Sequence, residues 1–149
     1  IENINSGAGD DIVDLTSPDY SLVGQSITVD SGSGNDTLWG SDANETLKGG
    51  VGVDELFGGA GTNVLTGGAG ADEFQFTKTS TNDTVKDFSL SDGDTLKFFN
   101  TGGAKFDRDS VALNGDVLSI SDGTAVLTIT LEGAGLQLDD LGSDVLIIG

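Results

Sequence analysis

Ser31 to Gln75 reads as five nines with no slip: Ser-Gly-Ser-Gly-Asn-Asp-Thr-Leu-Trp (31–39), Gly-Ser-Asp-Ala-Asn-Glu-Thr-Leu-Lys (40–48), Gly-Gly-Val-Gly-Val-Asp-Glu-Leu-Phe (49–57), Gly-Gly-Ala-Gly-Thr-Asn-Val-Leu-Thr (58–66) and Gly-Gly-Ala-Gly-Ala-Asp-Glu-Phe-Gln (67–75). One copy would be a weak signal, because glycine and aspartate are common in any turn. Five in register specify a repeat architecture. Glycines at the first, second and fourth places are expected to take positive φ, which turns the chain tightly and points carbonyl oxygens inward. The sixth place adds a carboxylate. The eighth place, Leu38, Leu47, Leu56, Leu65 and Phe74, is the middle of a three-residue strand and points inward while its neighbours point out.

A cage of carbonyl and carboxylate oxygens is the ligand set of a hard cation, and a flexible cage of that kind suits calcium better than magnesium. The chain has no His and no Cys, which removes the usual ligands of zinc, copper and iron. The candidate ligands are the carboxylates of Asp36, Asp54 and Asp72, with loop carbonyls from Gly32, Gly34, Gly50, Gly52, Gly68 and Gly70. Each inward side chain contributes about 1.5–3 kcal/mol on burial, but there is only one per nonapeptide. Ordering each residue costs about 1–2 kcal/mol of backbone entropy. Folding of the run is therefore expected to require the ion.

The nonapeptide Gly-Gly-x-Gly-x-Asp-x-(apolar)-x resembles the calcium-binding repeat of RTX, or haemolysin-type, proteins, a family exported by type I secretion. The resemblance implies an all-β fold, a right-handed parallel β-roll in which one coil holds two nonapeptides. Loops on one side then recur every eighteen residues. Asp36, Asp54 and Asp72 fall into one column, with ions shared between stacked loops, and Glu45 and Asn63 fall into the other. The second column has lost its aspartates, and the Glu45 loop lacks two of its three glycines, so this side is expected to be weak or empty, with Asp42 as a partial substitute.

A further copy occupies Ser6 to Asp14, with Gly7, Gly9 and Asp11 in the ligand places and Val13 inward. Asp11 precedes Asp36 by 25 residues rather than eighteen. An enlarged loop over about 16–25, including Pro18 and Tyr20, would absorb the difference, and a strand over 26–29 would close the coil. Asp11 then stacks on Asp36, although Asp10 competes for the place, and about three calcium ions are expected in the Asp11, Asp36, Asp54 and Asp72 column.

From Ala71 the pattern changes. Ala71 to Phe76, Asp83 to Phe88 and Asp92 to Leu96 resemble the segment that ends the roll in secreted metalloproteases of the serralysin type. That resemblance implies a roll over 1–76 and an antiparallel, β-sandwich-like cap over 77–149. It also implies Asp83 and Asp87 as ligands of a terminal ion, the alternative being that they only polarise loop ends. Ser110–Leu113 and Asp116–Ser121 flank Asn114-Gly115, a favoured hairpin turn. Thr124–Leu131 reads as a strand, and Leu136–Leu141 as a short helical turn. Asp144, Val145, Leu146, Ile147 and Ile148 resemble the uncleaved C-terminal export signal of type I substrates, or form a last core strand.

Six basic against 25 acidic residues give a net charge of −19 and a pI near 4.1. This argues against nucleic acid and anionic membranes, which select basic patches. No apolar run approaches the ~20 residues of a membrane span, so no membrane insertion is expected. Without His or Cys there is no Ser-His-Asp triad, Cys-His pair or zinc-protease site. The regularly spaced carboxylates are better used as ligands than as a glycosidase pair, and no catalytic residue is expected. The chain starts at Ile1 without a secretory leader and reads as a piece of a longer protein. The expectation is a monomeric calcium-binding module, secreted or on the surface of a Gram-negative bacterium, whose partner is a type I exporter. The rival is an extracellular adhesin or polysaccharide-binding module. Trp39 and Phe57 share the ninth place and should stack on one outer face, where they either meet a cell-surface glycan or serve only as strand formers.

Overall fold

The computed structural model describes residues 3–17, 21–80, 82–99, 108–121, 126–142 and 146–148. Within them the chain is all-β, a parallel solenoid of about four turns. Its strands are β1 (Asn3–Asn5), β2 (Ile12–Asp14), β3 (Ser26–Ser33), β4 (Thr37–Trp39), β5 (Asn44–Val51), β6 (Glu55–Phe57), β7 (Val64–Ala69), β8 (Glu73–Phe76), β9 (Asp83–Val85), β10 (Thr95–Phe98), β11 (Ala112–Asn114), β12 (Val117–Ser121), β13 (Val126–Leu131) and β14 (Leu146–Ile148). No helix among the described residues is long and apolar enough to cross a membrane.

From β1 to β10 consecutive strands go to opposite sheets, as two nonapeptides per coil require. One sheet runs β1-β3-β5-β7-β9-β13-β12-β11 and the other β14-β10-β8-β6-β4-β2. The eighteen-residue offset sets the register: Leu38 pairs with Leu56 and Leu47 with Leu65, in parallel. Because the side-chain period of a strand is two, this register stacks every eighth-place side chain on its like. Leu38, Leu47, Leu56, Leu65 and Phe74 are all buried and belong to one core with Val29, Val85, Leu96 and Phe98. The 25-residue first coil also closes as expected: Ile12 pairs with Thr37, Val13 with Leu38, and Asn3 with Thr28. Of its enlarged loop, Pro18 and Tyr20 lie outside the described residues.

The parallel ladder does not end at residue 76. β9 continues on β7, β10 on β8, and β14 on β10. Phe76 and Phe98 stack with centroids 5.4 Å apart, which carries the core past the last glycine-rich loop. The antiparallel C-terminal part is the three-strand meander β11-β12-β13, joined in parallel to β9 through β13. It extends one roll sheet and shares its core. The hairpin register Asn114↔Val117 puts Gly115 and Asp116 at the turn, one residue later than the Asn-Gly reading, with Gly115 at φ 59°. Of the expected strand 124–131 the described part is β13, and the helical turn is a single 3₁₀ turn, Leu138–Asp140. Asp144 and Val145 of the export-signal reading lie outside the described residues, whereas Leu146–Ile148 pair with β10.

Candidate metal centre

The loop glycines divide into two physical kinds. Those at the second and fourth places have positive φ, for example Gly50 at 113° and Gly52 at 144°. A Cβ on Gly50 would also lie 2.2 Å from the carbonyl oxygen of Gly32 in the stacked turn. First-place glycines do not have positive φ, contrary to the sequence expectation. Their reason is steric: a Cβ on Gly49 or Gly67 would come within 2.3 or 2.2 Å of Oδ2 of Asp54 or Asp72. The first place is left bare so that the sixth-place carboxylate can fold back over it. Ser31 holds that place in the Asp36 loop and donates its hydroxyl to the Gly49 carbonyl at 2.7 Å.

The sixth-place aspartates form a ladder. Asp11 donates its N–H to Oδ1 of Asp36 (2.7 Å), Asp36 to Asp54 (2.8 Å), Asp54 to Asp72 (2.9 Å) and Asp72 to Asp94 (3.0 Å). Each carboxylate thus reaches towards the turn before it. The other oxygen, Oδ2 of Asp11, Asp36, Asp54 and Asp72, is buried and accepts no hydrogen bond. Asp10 does not compete with Asp11, because its carboxylate accepts from Asn35 N–H (2.7 Å) in a second row on the fifth places.

Asp94 is the ladder member that sequence reading missed. It follows Asp72 by 22 residues rather than eighteen, in a loop whose only glycine near the repeat pattern is Gly93. Its signal was the strand start Asp94-Thr95-Leu96, which repeats Asp72-Glu73-Phe74. Unlike the aspartates above it, Asp94 has its Oδ2 occupied, by the N–H of Ser89 at 2.8 Å. Asp87 lies against the same end and accepts from Gly67 N–H (3.0 Å) and Gly68 N–H (2.8 Å). The last loop is therefore closed by protein groups.

The second column has the same rungs with different side chains. Glu45 donates its N–H to Oδ1 of Asn63 (2.9 Å), and Asn63 donates its own to Oδ1 of Asp83 (2.8 Å). Oε2 of Glu45 and Oδ2 of Asp83 are buried without a partner, while Oε1 of Glu45 accepts from the Ser41 hydroxyl. Between them the Asn63 amide turns its nitrogen to the Ala60 carbonyl at 3.1 Å. Asp83 and Asp87, paired in the sequence reading, are on different columns. Asp42, although in the Glu45 loop, commits its carboxylate to the enlarged early loop, accepting from Ser21 Oγ (2.5 Å) and Leu22 N–H (2.7 Å). The Ser21 bond, then the Leu22 bond, lower its pKa.

Burial sets the charge cost of this arrangement. Desolvation, with the charges of Asp94, Asp54 and Asp87 added, pushes Asp72 up to about 6. Desolvation and the charge of Glu45 push Asp83 up to about 7, against the hydrogen bonds from Asn63. Asp54, Glu45 and Asp94 are raised, in each case first by desolvation. An anion held in a dry place with one oxygen unpaired is unfavourable unless a cation meets it.

Among the described residues no three acidic side chains converge on one point. The carboxylates enter singly, one per loop, so the rest of any ion's coordination has to come from backbone carbonyls. That donor set fits a hard divalent cation, and calcium above all.

The comparisons agree with the geometry. The family model of the RTX calcium-binding nonapeptide repeat matches residues 28–56 and 39–74. The extracellular lipase LipA from Serratia marcescens has a solved structure to which the chain is similar at 26% identity and a TM-score of 0.50. That match covers 99% of this chain and 21% of the lipase, so the chain spans about a fifth of its length. The solution structure of the AlgE6R2 subunit of the Azotobacter vinelandii mannuronan C5-epimerase is similar at 23% identity and a TM-score of 0.46, over 98% of this chain and 91% of that one. No curated protein matches the chain in sequence. The nonapeptides, the rungs between sixth places eighteen residues apart and the family match together establish that residues 28–74 are RTX calcium-binding repeats.

Proposed function

We propose that the chain is the calcium-triggered folding module of a larger extracellular protein, exported C-terminus first by a type I machine and folded where calcium is abundant. The observation that carries this reading is the row of buried carboxylate oxygens without partners on Asp11, Asp36, Asp54 and Asp72, one per turn. Calcium ions would be held between stacked loops at Asp36, Asp54 and Asp72, with carbonyls from the loops that contain Gly7, Gly9, Gly32, Gly34, Gly50, Gly52, Gly68 and Gly70. Glu45, Asn63 and Asp83 form the weaker column. Asp87 and Asp94 close the end of the strong one. The bound ions supply the positive charge that makes the packed carboxylates tolerable. The module supplies no catalytic group, and the chemistry of the parent protein resides elsewhere.

The energy scale supports a switch. A site with a dissociation constant of about 0.1 mM, in 10 mM calcium, contributes roughly 2.7 kcal/mol. Three such sites contribute about 8 kcal/mol, comparable with the whole stability of a small domain. In the low calcium of a cytosol the same carboxylates repel one another and keep the chain threadable. Export itself is tested by deleting 144–149: secretion should stop while the purified chain still gains strand structure with calcium.

The decisive experiment is a calcium titration followed by far-UV circular dichroism on the wild type and on Asp54→Ala. Strand signal should appear cooperatively with calcium, and the variant should need far more of it. A chain already folded in excess chelator would overturn the proposal.

A further inference from the structure

On the side of the roll that carries Glu45 and Asn63, a cavity of about 250 Å³ opens at the surface, lined by Thr16, Ser41, Asp42, Phe57, Ala60 and Thr79 among others. These residues come from four successive turns, following β2, β4, β6 and β8. Successive coils lie roughly 4.8 Å apart, so the groove runs along the roll axis and offers similar positions at each step. Its aromatic wall is Phe57, half-buried, which pairs in register with Trp39 on the neighbouring strand. Trp39 is 38% exposed, and its indole N–H is fixed on Glu55 at 3.1 Å.

The polar groups of the groove are chiefly acceptors. Asp42 is an ionised carboxylate anchored by Ser21 and Leu22. The Thr16 hydroxyl spends its hydrogen on Asp14 and keeps its oxygen lone pairs. Among the described residues no lysine or arginine lines the cavity, and the chain carries a net charge of −19, so a carboxylated or sulfated ligand would be repelled. A ligand rich in hydroxyl donors, uncharged and with an apolar ring face for Phe57, satisfies all of these groups. The volume is small for a complete drug-sized molecule but open along the roll axis, as a site for part of a longer chain would be.

We propose that this groove binds a neutral glycan, with sugar rings laid along the roll axis across Phe57 and their hydroxyls donating to Asp42 and Thr16. The coil spacing is close to the length of one pyranose unit in an extended chain, so one turn of protein would meet one sugar.

The test uses the calcium-loaded chain against neutral gluco-, galacto- and manno-oligosaccharides, with oligolysine as a control. Binding is read by calorimetry and by the fluorescence of Trp39, the single tryptophan. Saturable binding to one oligosaccharide series is expected, about tenfold weaker in Phe57→Ala. Thr79→Arg, at an exposed rim position, should abolish binding while the calcium midpoint of strand formation stays in place, which separates loss of the groove from loss of folding. No saturable binding to any neutral series overturns the proposal. So does binding that neither variant weakens, or a preference for oligolysine that salt removes.

Discussion

Asp54 belongs to two rungs at once: its N–H goes to Asp72 and its carboxylate receives the N–H of Asp36. The two oxygens of one side chain therefore differ: Oδ1 serves the backbone, and Oδ2 is left unpaired. Asp54→Asn keeps an acceptor for Asp36 but replaces the charged oxygen, so the calcium midpoint should rise about tenfold, equivalent to about 1.4 kcal/mol. Asp54→Ala loses the rung as well, costing about 1 kcal/mol more. Titrations of both variants followed by circular dichroism give the difference. Gly67→Ala makes a second residue-scale case. Its Cβ would lie 2.2 Å from Oδ2 of Asp72, and we expect the calcium-loaded chain to lose on the order of 1–3 kcal/mol in denaturant unfolding. A calcium-loaded variant as stable as the parent would sink the steric account of the first-place glycines.

At the scale of the element, the two columns have the same skeleton and differ in a few side chains. Asn63 sits between Glu45 and Asp83, each with one buried oxygen unpaired. Asn63→Asp keeps the Oδ1 acceptor and adds a carboxylate where the amide now points to Ala60. The expected result is at least one additional calcium ion by calorimetry, and a steeper dependence of strand formation on calcium. The division into columns was legible in the eighteen-residue spacing, because identical spacing forces identical register. The position of Asp94 was not, because its loop changes length while its strand does not: hydrogen bonding from Asp72 N–H tolerates 22 residues as well as eighteen. For the same reason the continuation of the parallel ladder past residue 76 was hidden. A glycine pattern marks the tight turns, but parallel pairing needs only a strand, and β9 and β10 provide one without the pattern. The steric role of the first-place glycines was also hidden, since sequence cannot separate a glycine required by φ from one required by a neighbour.

For the whole molecule, the raised carboxylates make proton and calcium dependence two sides of one property. Asp72 at about 6 and Asp83 at about 7 lie above the ordinary aspartate value of 3.8. Between 3.8 and those values the folded chain holds more protons than the unfolded one. By linkage, its stability then falls as pH rises through the window and stays low above it. In chelator the chain should therefore be more ordered near pH 5 than at pH 8, by circular dichroism. Saturating calcium should remove that difference or reverse it, because the ion favours the ionised form. An apo chain fully ordered at both pH values would contradict the burial of these groups.

The rung from each sixth place to the next has one further consequence, for how such a chain can change its length. Because every coil offers the same N–H and the same Oδ1, an eighteen-residue unit is interchangeable. Excising 49–66 would set Asp36 on Asp72 and Glu45 on Asp83, with both sixth-place N–H groups still matched to a carboxylate. The protein is thus built like a text that can lose or gain a whole line without becoming ungrammatical. Duplication and deletion in units of one coil are open to it, whereas a slip of a single residue within the run would set every inward leucine outside.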